Sequence, residues 1–72
     1  MNLKYKVNQN IQYEKDICEE VNGYYQKIKT EIKEGFIFCI EIWENNIYYR
    51  VKKQKNYFGW DYVIENKVIK RL

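Results

Sequence analysis

The side chains able to do chemistry here are two cysteines, a set of carboxylates, and a large stock of tyrosine and lysine. A serine or cysteine nucleophile needs a base, most often histidine, within hydrogen-bond reach. The chain has neither serine nor histidine, which removes both arrangements. Cys18 and Cys39 show no CxxC spacing, and no second cluster exists to complete a four-ligand zinc set. They read as packed free thiols of low reactivity, Cys18 on the inner side of a helix and Cys39 in an apolar strand. Glu41 and Glu44 have the chemistry of an acid–base pair, but their place beside a turn marks them as solvated surface. Gly23, Gly35 and Gly59 are too scattered for a phosphate-cradling loop. The chain therefore reads as non-enzymatic, with no cofactor and no metal.

Binding chemistry is better represented. Residues 50–72 carry seven basic side chains against two acidic, whereas residues 11–49 carry four basic against eight acidic. This gives a basic C-terminal region and a mildly acidic middle. Tyr48, Arg50 and Lys52 share one face of a strand, and Lys53, Lys55 and Tyr57 follow in the adjoining loop. Tyrosine and arginine dominate protein interfaces. The same mixture of rings and cations also suits single-stranded nucleic acid, rings stacking on bases and cations tracking phosphates. These six residues form the candidate partner-binding site under either reading.

The elements that must position them are organised around residues 36–43. Phe36, Phe38, Ile40 and Ile42 point to one side of a strand, and Ile37, Cys39 and Trp43 to the other. A strand apolar on both faces belongs in the middle of a sheet. Before it, Ile17, Val21, Tyr24, Ile28 and Ile32 recur at three- and four-residue steps, which predicts an amphipathic helix over 17–34. Asp16 with Glu19 resembles a capping box, and Gly35 stands where a C-terminal cap belongs. Asn22-Gly23 opposes this, because it is also a strong hairpin-turn signal. Alternation at 3–7 and 11–15 suggests an N-terminal hairpin, with an early helix start at Asn10 as the rival.

Downstream, Asn45-Asn46 supplies a two-residue turn. Ile47, Tyr49 and Val51 then alternate with polar neighbours in a strand. Residues 60–65 and 68–71 read as two further strands. The expected core includes Ile17, Val21, Ile28, Ile32, Phe38, Ile40 and Ile42. The sum is one small α+β domain over residues 1–72, a helix on an antiparallel sheet in the order ββαββββ or βαβββ.

Seventy-two residues bury a limited core, and thirteen aromatic side chains are the means of enlarging it. The abundance of Lys, Asn, Ile and Tyr is also what AT-rich codons produce. The apolar run at 36–40 is far short of a membrane span, and no signal-peptide pattern opens the chain, so it reads as cytoplasmic. No motif assigns a family. Size and composition suit a phage or mobile-element inhibitor of host defence, of the anti-CRISPR kind, acting on a larger protein. A small nucleic-acid-binding domain is the alternative, and homodimerisation through the central sheet is compatible with both.

Overall fold

A computed structural model describes residues 3–72. Five antiparallel strands form one sheet: β1 Asn10–Val21, β2 Tyr24–Trp43, β3 Asn46–Lys52, β4 Asp61–Ile64 and β5 Val68–Arg71. Their spatial order is β4-β3-β2-β1-β5. β4 and β5 sit at opposite edges, yet only a 3-10 turn, Glu65–Lys67, separates them in the chain. So short a connection bends the sheet on itself into a partly open barrel. Ile11, Tyr13, Ile37, Ile47, Tyr49, Val51 and Val63 fill the inside, with Tyr5, Ile40 and Val68 packed against them.

The expected helix over 17–34 is absent, and the α+β class is corrected to an almost wholly antiparallel sheet. The chain turns at Asn22 and Gly23, whose φ angles of 52° and 84° are those of a tight hairpin turn. The helical spacing arose on a two-stranded arm whose faces are largely uncovered. No core selects a period of two along it, so the spacing of its apolar residues says little about its backbone. Asp16 lies inside β1 rather than at a helix cap. Gly35 ends no helix; it sits where β2 passes from its ladder with β1 to its ladder with β3. A Cβ there would meet the Lys52 carbonyl oxygen at 2.5 Å and Val51 Cγ1 at 2.7 Å.

The expected core is redistributed accordingly. Val21, Ile28, Ile32 and Ile42 are exposed, and Ile17, Phe38 and Ile40 are half-buried. Cys18 lies exposed on the arm and Cys39 is half-buried. Residues 3–9 form a loop in place of the N-terminal hairpin strand. Asn8 N–H donates to Ile37 O at 2.7 Å, and Ile37 N–H donates to Gln9 O at 2.9 Å.

The β2–β3 hairpin forms as expected, but its turn is Glu44-Asn45, with φ of 47° and 68°. Ile37 opposes Val51 while Cys39 opposes Arg50, so Phe38 is an extra residue in a bulge. The bulge reverses the alternation. Ile37, Ile40 and Ile42 share the inner side, and Cys39, Glu41 and Trp43 share the outer one. β3 follows its alternation without interruption. No helix among the described residues is long and apolar enough to cross a membrane.

Candidate functional site

The inward turn of Ile47, Tyr49 and Val51 forces Tyr48, Arg50 and Lys52 onto the outer face of β3. Register then decides their neighbours. Tyr48 stands opposite Glu41 on β2 and Ile64 on β4, and Arg50 stands opposite Cys39 and Tyr62. Val63 is buried, so Tyr62 also faces outward. Three of the six candidate residues are thus brought together, in a setting of partners the sequence reading did not include.

Those partners are Glu41, Trp43, Trp60 and Tyr62. The Tyr62 hydroxyl donates to Glu41 Oε2 and accepts from Arg50 Nε at 3.2 Å and Nη2 at 3.0 Å. Arg50 Nη2 also donates directly to Glu41 Oε1. Trp43 Nε1 reaches Glu41 Oε2 at 3.4 Å. The guanidinium lies 4.8 Å from the Trp60 ring centroid and 5.3 Å from that of Tyr62. Rings continue the cluster: Trp60 against Tyr62 at 4.7 Å, Phe38 against Trp60 at 6.1 Å and Tyr48 against Tyr62 at 6.2 Å, all edge-to-face. Lys52 closes one end, its Nζ 4.6 Å from the Phe38 ring.

Charge is balanced inside this cluster. The Tyr62 hydrogen bond, with help from Trp43 and Arg50, holds the Glu41 carboxyl below its ordinary value. The same hydrogen bond to Glu41 pushes the Tyr62 phenol upward. Arg50 is shifted up, first by Tyr62 and then by Glu41. A carboxylate at the centre, ion-paired to the central cation, leaves a face that is aromatic but not strongly positive.

The other three candidate residues lie elsewhere. Lys53 and Lys55 are exposed in the 53–60 loop, and Tyr57 turns toward a different feature. Tyr57 and Lys53 line a cleft of about 630 Å³ between that loop and the base of the β1–β2 arm, with Lys15, Lys33, Trp60 and Asp61 among its other walls. Asp61 accepts from Lys15 Nζ at 2.5 Å and from the Tyr13 hydroxyl at 2.6 Å. The loop also carries Phe58, which is 97% exposed.

Sequence had one usable signal for the missed residues. Trp60 and Tyr62 alternate with Asp61 and Val63, which places both rings on one side of the chain as it enters β4. What it lacked was the register that lays this side beside Arg50. Glu41 reads as solvated surface from its place beside a turn, because its partners Arg50 and Tyr62 come from two other strands. Comparison with protein-family models, curated proteins and solved structures finds no match for this chain.

Proposed function

We propose that the chain is a non-enzymatic binding module that docks the outer face of β2, β3 and β4 onto a larger protein and regulates it. The observation that carries this reading is the cluster of Trp43, Tyr48, Trp60 and Tyr62 around an internally neutralised Arg50–Glu41 pair. Large exposed rings cost solvation in isolation, and contiguous apolar patches of this kind mark interaction surfaces. Aromatic and arginine side chains supply most interface energy. Phe58, exposed in the neighbouring loop, extends the reach of the face.

Capture by the immobilised chain tests the proposal. Phe58→Ala and Trp60→Ala each weaken binding by about 2 kcal/mol or more as interface anchors. Lys52→Ala changes it by less than about 1 kcal/mol, as exposed ion pairs do. The thermal midpoint of Phe58→Ala stays at the wild-type value, because the side chain touches no core. Retained binding in both ring variants overturns the reading.

The cleft supports a second reading, single-stranded nucleic acid. Lys15, Lys33 and Lys53 stand there with Tyr57 and Trp60, although Lys15 is already paired with Asp61. A strand neutralised at about four phosphates loses affinity with a log–log salt slope of roughly −3. A protein interface centred on the ring cluster responds far less to salt.

A further inference from the structure

The protein-binding reading leaves open what a partner inserts between the rings, and one corner of the face has the chemistry to select it. Trp43, Glu44, Tyr48 and Tyr62 alone line an open hollow of about 520 Å³. The Tyr48 and Tyr62 rings stand at 86° to each other, and Trp43 is 59% exposed. Glu44 is brought to the rim by the left-handed backbone of the β2–β3 turn.

We infer that this hollow receives a weakly hydrated cationic side chain, a guanidinium or a methylated ammonium, presented by the protein partner. The inference rests on the protein-binding reading above. Ring faces attract cations through their quadrupoles, tryptophan most strongly. The Glu44 carboxylate makes no hydrogen bond or ion pair among the described residues. Glu41, by contrast, is spent on Arg50, Tyr62 and Trp43. Arg50 and Glu41 cancel, so Glu44 leaves this corner with a net negative charge. Phosphate is disfavoured for the same reason.

Two details narrow the class of cation. The hollow offers few acceptors, chiefly the Glu44 carboxylate and the Tyr48 hydroxyl. An unmodified ammonium is a compact, strongly hydrated charge, and it would exchange its tight water shell for too few partners. A guanidinium or a methylated ammonium surrenders less hydration and presents more surface to the rings. One ring is also held in place beforehand: Glu41 and Arg50 tie the Tyr62 hydroxyl, so that side chain loses little freedom on binding.

The test is an amide-resolved NMR titration of the full chain with four capped amino-acid amides: trimethyllysine, arginine, lysine, and a neutral tert-butyl isostere of trimethyllysine. Trimethyllysine or arginine is expected to bind with a dissociation constant on the order of millimolar. Its shifts centre on the Trp43 indole N–H and residues 43–48, and leave the Trp60 indole little changed. Trp43→Ala weakens the interaction about tenfold and Glu44→Gln about two- to fivefold, the scales of a cation–π contact and an exposed charge pair. Equal binding of the neutral isostere, tighter binding of unmodified lysine, or no movement of Trp43 with either cation overturns the inference. Partner capture that depends on Trp60 and Phe58 but not on Trp43 or Glu44 sinks this inference alone. Capture indifferent to Trp60 and Phe58 sinks the protein-binding reading itself.

Discussion

The Tyr13 hydroxyl donates to Asp61 Oδ2 at 2.6 Å, joining β1 to the first residue of β4, two strands that share no ladder. Tyr49 does the same from β3, donating to Glu65 of the 3-10 turn at 2.6 Å. Both rings are buried, so each tyrosine fills the inside and fastens a wall with one side chain. Tyr13→Phe keeps the packing and removes the hydroxyl. A hydrogen bond to a charged group is worth about 1.5–3 kcal/mol, and Asp61 retains Lys15, so a loss of about 1–2 kcal/mol is expected. That lowers the thermal midpoint by about 4–8 °C per kcal/mol for a domain of this size, measurable by circular dichroism.

The same bond sets an alkaline limit. Burial first, and then the hydrogen bond to Asp61, push the Tyr13 phenol above its ordinary 10.0; Tyr49 is raised in the same way by burial and Glu65. A folded-state value raised above the unfolded one contributes stability that is full below pH 10 and declines as pH rises beyond it. Urea midpoints measured from pH 8 to 12 should fall steeply in the wild type and less steeply in Tyr13→Phe.

At the acid end the sign is opposite. Burial pulls the Asp61 carboxyl upward, but hydrogen bonds from Lys15 and Tyr13 pull harder and leave it below its ordinary 3.8. A depressed folded value contributes stability that is full above the unfolded one and is lost as pH falls through the folded one. Wild-type stability therefore declines below about pH 4. Asp61→Asn should be less stable at neutral pH and show a shallower acid limb in the same measurement.

Gly35→Ala should destabilise by about 1–3 kcal/mol, the usual range for forced overpacking. The obstacle is the Lys52 carbonyl, a backbone atom that moves only with β3. A thermal midpoint equal to the wild type would mean that the crossing of β2 over β3 is looser than described.

The arm should exchange amide hydrogens much faster than the barrel. β5 pairs with β1 only at Ile11–Tyr13, and β3 pairs with β2 only from Phe36 onward. Beyond them two strands stand without a third, and such ribbons are marginal in water. Tyr24 and Tyr25 near the tip are 78% and 80% exposed. Protection at residues 16–30 comparable with that of Tyr49 would contradict this.

How far sequence reached is best seen by comparing β3 with the arm. On β3 one face is buried, burial enforces alternation, and Ile47, Tyr49 and Val51 were legible at once. On the arm the faces are largely uncovered, with Ile17 only half-buried, and Ile17, Val21, Ile28 and Ile32 fall into helical spacing without a helix beneath. Asn22-Gly23 carried the true signal, because its backbone preference does not depend on tertiary cover. In residues 36–43 the strand was legible but its faces were not, since one bulged residue, Phe38, exchanges them. Half of the candidate site followed from β3 alone. Glu41, Trp43, Trp60 and Tyr62 required register across three strands, which local spacing does not encode.

The β1–β5 ladder has a kinetic consequence. Trp43 and Asn46 pair across a two-residue turn, whereas Ile11 pairs with Arg71 from nearly the other end of the chain. Loop-closure entropy rises with separation, so the distant seam gains nothing until the intervening strands are already held together. This separation predicts that the β2–β3 hairpin forms in the folding nucleus and that β5 joins β1 after the rate-limiting step. Val68→Ala should then leave the refolding rate nearly unchanged and accelerate unfolding, while Ile47→Val should slow refolding in stopped-flow measurements. A barrel sealed last in this way is expected to open first along the same seam, exposing Ile11 and Tyr13 before the hairpin that carries Arg50 comes apart.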